Sequence, residues 1–192
     1  PRTKQWQYST PSCIMAYSKR HGLWNANMTN ELRIEVADSE SLSPAKFAEV
    51  LTLCNEAYEE ELASLFATFA HPVHVLAYLG DALVSHAMWV TRWLQPGTLP
   101  LLRTAYVEMV ATAPAYQGRG FGTAVMQRLA AEIQDFDLGG LDTGSEGFYA
   151  RLGWQSWRGP LYIRTATGLL PTPDETMMFL RLPKTPPLDV TA

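Results

Sequence analysis

Glu108 is a carboxylate inside a run, Ala105-Tyr106-Val107-Glu108-Met109-Val110-Ala111, whose other members are mostly apolar. A charge in such a strand is costly unless it is solvated, paired or put to use as a base. A short way on comes the turn Gln117-Gly118-Arg119-Gly120-Phe121-Gly122, placed where a helix begins. Glycines let backbone amides approach a ligand, and the first turn of a helix has amides with no internal partner. Those amides and the helix dipole favour an anion, a pyrophosphate above all, and Arg119 could add a charge-assisted contact. The chemistry these residues permit is therefore a pyrophosphate-bearing cofactor held beside a carboxylate able to take a proton. The dinucleotide and Walker patterns do not fit, because the third glycine spacing is missing and no Gly-Lys-Ser/Thr follows.

The elements that must position these groups can be read from the pattern. Residues 105–111 form a strand, stopped by the Pro and Ala punctuation at 112–115. From Gly120 onward Phe121, Val125, Leu129, Ile133 and Phe136 recur at helical spacing. Upstream, 32–37 alternates as a half-buried strand, and Ser43-Pro44 announces a helix with Phe47, Val50, Leu51, Cys54 and Tyr58 as its buried stripe. A second short helix runs through Leu62, Leu65 and Phe66. Two strands, 73–79 and 82–93, flank the hairpin signal Gly80-Asp81, and the loop 95–100 leads into the Glu108 strand. After the cofactor helix come a short strand at 138–141 and a helix at 145–152 ending on Gly153. Strands at 161–164 and 177–182 close the sheet across a loop at 165–176. Residues 1–30 show no sustained period and are read as an irregular extension, with Met15 or Met28 as a possible original start; 184–192 is a Pro-rich tail.

At 192 residues and 47% hydrophobic content the chain suits one α/β core, which puts a single domain at 31–183. No apolar run approaches the ~20 residues of a membrane span and no signal pattern opens the chain, so a cytoplasmic protein is expected. Acidic residues outnumber basic ones, 19 to 15, which speaks against a nucleic-acid partner and tilts toward cationic ligands. Cys13 and Cys54 match no metal or redox spacing, and His71, His74 and His86 read as satisfied structural residues; no metal is expected.

The sequence Gln117-x-x-Gly120-x-Gly122 after a strand carrying a carboxylate resembles the acetyl-CoA signature of the GCN5-related N-acetyltransferase (GNAT) superfamily. That resemblance implies an α+β fold with a mixed, mostly antiparallel sheet of six to seven strands flanked by helices. It also implies acetyl-CoA as cofactor, with the pyrophosphate on Gln117, Gly118, Arg119, Gly120, Phe121, Gly122 and Thr123. The pantetheine arm would lie along the backbone of Met109, Val110 and Ala111 as an added pseudo-strand. Acetyl transfer from a thioester to an amine needs a deprotonated nitrogen and an acid for the departing thiolate. Glu108 is the expected base, working through water. Phe148-Tyr149 with Gly153-Trp154 resembles the closing motif of the superfamily, in which the tyrosine approaches the coenzyme sulfur. A phenol of pKa about 10 can protonate a thiolate whose thiol has a pKa of ~8.5. Tyr149 is the expected acid, and Phe148 the better candidate for core packing.

A narrower resemblance rests on Tyr106-Val107-Glu108, on Tyr149-Ala150-Arg151-Leu152-Gly153-Trp154 with Trp157-Arg158-Gly159-Pro160, and on Pro171-Thr172-Pro173-Asp174-Glu175. These look like the bacterial aminoglycoside 2'-N-acetyltransferases. The resemblance implies carboxylates around a polycationic amine: Glu61 near the first helix, Asp174 or Glu175 in the last loop, and Asp142 after the fifth strand, together with Glu108. Members of that family carry a longer C-terminal segment, whereas Asp189 is the one acid in this tail. A homodimer is possible, with the aromatics of 1–30 as an interface. The alternatives are acetylation of another amine, such as a polyamine, an amino acid or a peptide N-terminus, and a non-catalytic acyl-CoA-binding domain.

Overall fold

The computed structural model describes residues 31–191, so the opening segment, with Cys13 and its aromatics, lies outside the described residues. The alternating run forms β1 (Leu32–Asp38), which pairs antiparallel with β2 (Val73–Leu79). Between them α1 (Pro44–Tyr58) starts where the Ser43 hydroxyl accepts from the Lys46 amide with Pro44 in the first turn; it ends at Glu59 in the left-handed region, φ 55°. This is the start and stop chemistry its residue types prescribe. The short α2 (Ala63–Phe66) follows. Gly80-Asp81 turns β2 into β3 (Ala82–Leu94), and β4 (Leu102–Thr112) returns alongside it. Then come α3 (Phe121–Glu132), β5 (Leu138–Asp142) and α4 (Glu146–Ala150), with Gly153 reversing the chain at φ 90°.

The central sheet has seven strands in the order β1-β2-β3-β4-β5, then β9 (Met177–Arg181), then β6 (Gln155–Ser156) at the edge. Only β4 and β5 run parallel; the other pairings are antiparallel. One expectation is corrected here. The strand expected at 161–164 forms but does not join this sheet: β7 (Tyr162–Thr165) pairs with β8 (Gly168–Pro171), which lies in the expected loop 165–176, as a separate, exposed hairpin. The edge beside β9 is already occupied by β6, which is two residues long and too short to show a period of its own.

Each face of the sheet carries a helix layer. Val50, Leu53 and Cys54 of α1 pack on Leu76 and Met88, while Val125, Met126 and Leu129 of α3 pack on Val75, Ala87 and Val107 of the opposite face. Fully burying one such side chain contributes about 1.5–3 kcal/mol before chain entropy is counted. The Pro-rich tail is irregular, as expected, and it is anchored. Val190 O accepts from the amides of Arg158 and Gly159 at 2.8 and 3.0 Å, and Leu188 packs beside Trp157 and Phe179. The Trp157-Arg158-Gly159-Pro160 element thus has a structural use, clamping the tail. Among the described residues no helix is long and apolar enough to cross a membrane, and no group of three potential metal ligands occurs.

Candidate functional site

The site is organised by a fork. β4 and β5 pair only over Thr104↔Leu138, Ala105↔Gly139 and Tyr106↔Gly140, yet β4 continues to Thr112. At the same level β4 bulges against β3: the register slips between His86 and Met88, and Met109 takes φ 52°, unusual for a residue with a Cβ. The bulge has a filler. His86 Nδ1 lies 2.8 Å from Met109 O, and His74 Nδ1 lies 2.9 Å from His86 Nε2. A carbonyl only accepts, so His86 carries its proton on Nδ1, its Nε2 is bare, and His74 must donate from Nδ1. His74 Nε2 is then a buried acceptor with no partner among the described residues. Burial pushes both imidazoles down, His86 to about 3 and His74 to about 4, with the neighbouring His74 adding to the depression at His86. Cys54 Sγ sits 3.6 Å from His86 Nδ1, its thiol pushed up to about 12 by burial, which makes it an inert core group.

The carbonyls of the expected pantetheine strand are engaged from within the protein. Met109 O takes His86, Val110 O accepts the Tyr58 hydroxyl at 3.1 Å, and Ala111 O accepts the Ser85 hydroxyl at 2.9 Å. The Tyr58 bond also fastens the end of α1 to β4.

Glu108 stands on β4 just beyond the last β4/β5 pair, on the same face as Tyr106. Its side chain is 20% exposed, and it accepts from Arg92 Nη2 of β3 at 2.6 Å. Burial pushes the carboxyl up to about 7; Arg92 opposes that rise and Asp142 adds to it. Arg92 was not singled out by sequence reasoning; the only signal it offers is its place across the strand pair from the Glu108 face. Its guanidinium lies 4.1 Å over the Tyr106 ring. Burial raises the Tyr106 phenol, Arg92 opposes, and Glu108, Asp142 and Glu175 add to the rise. Glu108, Asp142 and Glu175 are therefore brought together around Tyr106. Gly140 makes this packing possible: a Cβ there would meet Thr104 Cγ2 at 3.0 Å and the Tyr106 ring at 3.2 Å.

The other expected carboxylates are placed differently. Asp142 Oδ1 accepts from the Thr176 amide at 2.9 Å, and Glu175 Oε2 from the Thr172 hydroxyl at 3.1 Å, so both belong to the rim where β5 meets the last loop. Asp174 is exposed on that loop. Glu61 is held by Asn55 Nδ2 at 3.2 Å, on the α1–α2 connection, and takes no part in the Glu108 cluster.

The glycine turn begins past a 3-10 turn at Pro114–Tyr116 and is closed by Gln117 Nε2 donating to Thr112 O at 3.2 Å. Gly120 is the N-cap of α3 at φ 88°, a left-handed conformation that a side chain would strain. The amides of Phe121, Gly122 and Thr123 form the first turn behind it. Arg119 is exposed, its guanidinium 5.3 Å from the rings of both Tyr116 and Phe121.

The expectation that Phe148 is the more deeply packed of this pair is reversed. Tyr149 is the buried one, 8% exposed, and it packs edge-on against Phe148 at 4.9 Å and Trp154 at 6.2 Å, while Phe148 is half-buried. With α4 only five residues long, the turn at Gly153 folds Trp154 back onto the tyrosine ring. Burial pushes the phenol up to about 12, opposed by a hydrogen bond with Thr143, a partner nothing in the sequence marks. A phenol so placed stays protonated throughout the neutral range.

A seven-stranded mixed sheet, forked between its two parallel strands and followed by a glycine turn at a helix N-terminus, is an N-acetyltransferase architecture. The chain belongs to the acetyltransferase (GNAT) family, whose profile matches residues 40–154; members typically use an acyl-CoA donor and an amine acceptor. Within reach by sequence is the aminoglycoside 2'-N-acetyltransferase of Mycolicibacterium fortuitum, 31% identical over 147 residues, which are 71% of this chain and 74% of that protein. The Escherichia coli ribosomal-protein-S18-alanine N-acetyltransferase shares the fold with a TM-score of 0.53 at 17% identity, covering 81% of this chain and 96% of that one. Eis1 from Mycobacterium abscessus gives 0.56 at 19% identity over 68% of this chain, which spans only 33% of that longer protein.

Proposed function

We propose that this protein transfers the acetyl group of acetyl-CoA to the 2'-amine of an aminoglycoside. The observation that carries the reading is the placement of Glu108 beside the β4/β5 fork, half-buried, with Asp142 and Glu175 close by. A carboxylate held near neutrality by burial is suited to take a proton from an ammonium at physiological pH. Neighbouring carboxylates favour a polycation over a neutral amine. The 31% identical aminoglycoside 2'-N-acetyltransferase supports the choice of acceptor.

Acetyl-CoA suits the residues present. The fork leaves the β4 stretch beyond Tyr106 without a β5 partner, and the amides at 121–123, capped by left-handed Gly120, suit a pyrophosphate. A strand-like ligand would meet carbonyls at 109–111 that already accept one bond, and would draw on their second lone pairs or on N–H groups. The coenzyme supplies an activated thioester. Glu108 accepts the proton of the acceptor nitrogen, directly or through a water. Tyr149, protonated and braced by Thr143, holds the proton for the leaving sulfur.

The test of the acceptor is coenzyme A release with kanamycin B and with kanamycin A, which carry an amine and a hydroxyl at the 2' position. Turnover with kanamycin B alone is expected. Equal turnover with both would move the target nitrogen, and silence with both would remove aminoglycosides as acceptors. Tyr149→Phe is expected to lower kcat about 10²-fold, the lower end of general acid effects, with acetyl-CoA affinity unchanged. An unaltered kcat in steady-state assays would take the acid role from Tyr149.

A further inference from the structure

The Arg92 guanidinium occupies the place where an acceptor cation would gain most. It lies over the Tyr106 ring at 4.1 Å and donates to Glu108 Oε1 at 2.6 Å. An aromatic face beside a carboxylate is how proteins bind a cation, and desolvation strengthens both contacts. Around it stand Glu108 and Tyr106 on β4, Asp142 at the end of β5, and Glu175 on the loop before β9. Arg92 is the one basic group that bears on Tyr106 in this set, against the three carboxylates Glu108, Asp142 and Glu175. Its side chain is 44% exposed, so it can leave the ring without disturbing the core.

A general base tied to a permanent cation cannot meet an incoming ammonium without conflict. Two positive charges would have to share one carboxylate and one ring face, and the guanidinium never gives up its proton. We infer that Arg92 is a resident competitor for the acceptor: its guanidinium fills a cation subsite formed by the Tyr106 ring and the Glu108 carboxylate, and a substrate ammonium binds there by displacing it. The inference rests on the reading of Glu108 as part of an amine-acceptor site. It adds that every cation binding there meets the same competitor, which lowers its apparent affinity by one common factor. An acceptor with several positive charges, which also meets the field of Asp142 and Glu175, has affinity to offset that factor, whereas a monoamine has less. Arg92 thus tunes the affinity of the site for its acceptor.

The mass-action consequence is simple. A group that occupies a subsite about four-fifths of the time weakens the apparent affinity of its competitor about fivefold. The experiment is calorimetric binding of kanamycin B, in the absence of acetyl-CoA, to the full chain and to its Arg92→Gln and Arg92→Lys variants. Arg92→Gln keeps a hydrogen-bond donor but removes the charge, and is expected to bind about fivefold more tightly. Arg92→Lys retains the charge and is expected to bind as the parent protein does. Equal or weaker binding by Arg92→Gln, tighter binding by Arg92→Lys, or no binding by any of the three would each overturn the inference. Because no acetyl group is transferred, the outcome is separable from the proposed activity. Binding that tightens in Arg92→Gln while kanamycin B is never acetylated would sink the 2'-acetylation and leave the competitor standing. As a second arm, KM for n-butylamine should fall in Arg92→Gln by about the same fivefold factor; an unchanged KM would also overturn it.

Discussion

Glu108→Gln is expected to lower kcat/KM for the amine by about 10²–10⁴-fold, the range a positioned acid or base supplies. The amide is nearly isosteric and can still meet Arg92, so loss of activity would report loss of the proton acceptor and not a collapsed strand. The parent protein should show the matching pH dependence. Burial holds the Glu108 carboxyl at about 7, so activity should rise as pH increases through that value, where the group loses its proton and becomes able to accept one. In the Gln variant that limb should vanish. Stopped assays of coenzyme A release from pH 5.5 to 9 measure both. A variant retaining full kcat/KM, or the same acid limb, would show that the base lies elsewhere.

The second large effect concerns stability in acid. An unfolded chain protonates its histidines at about 6.5, whereas His74 and His86 resist protonation until about 4 and 3. The unfolded state binds more protons, so stability is full above pH 6.5 and falls as pH drops toward 4. The combined loss is on the order of 5 kcal/mol, comparable with the whole stability of many domains. Urea midpoints should therefore fall steeply between pH 7 and 4.5. A His74→Leu/His86→Leu protein should show a flatter profile and a lower stability at pH 7.5, since Met109 O then loses its buried donor, at a cost of about 1–3 kcal/mol. An equally steep fall in that double variant would assign the acid lability to other groups. The same substitution bears on function, because the His86 bond holds Met109 at the fork next to Glu108.

Much of the fold was legible because its signals are local. Ser43-Pro44 starts a helix whatever surrounds it, Gly80-Asp81 turns a hairpin, and Gly118 and Gly120 adopt the positive φ angles that glycines admit at low cost. What escaped was decided by competition between distant segments. Residues 162–165 look like a sheet strand, but Gln155-Ser156, directly after the Gly153 reversal, occupies the edge of β9, and 162–165 pair with β8 instead.

The site divides along the same line. The amino-acid sequence by itself determined the chemical repertoire: a strand carboxylate at Glu108, a glycine turn opening a helix, a phenol at Tyr149, and acids at Asp142 and Glu175. These are properties of residue type and short spacing, which one chain segment carries alone. Tertiary structure decided their electrical state and company. Arg92 reaches Glu108 because β3 and β4 pair in a register that sets Val90 opposite Tyr106 and Met88 opposite Glu108, His86 enters the neighbouring bulge with His74 behind it, and Trp154 folds back onto Tyr149. Proton affinity depends on burial and on charges a few ångströms away. Those distances are fixed by which strands meet in space, a relation that no local stretch of sequence contains.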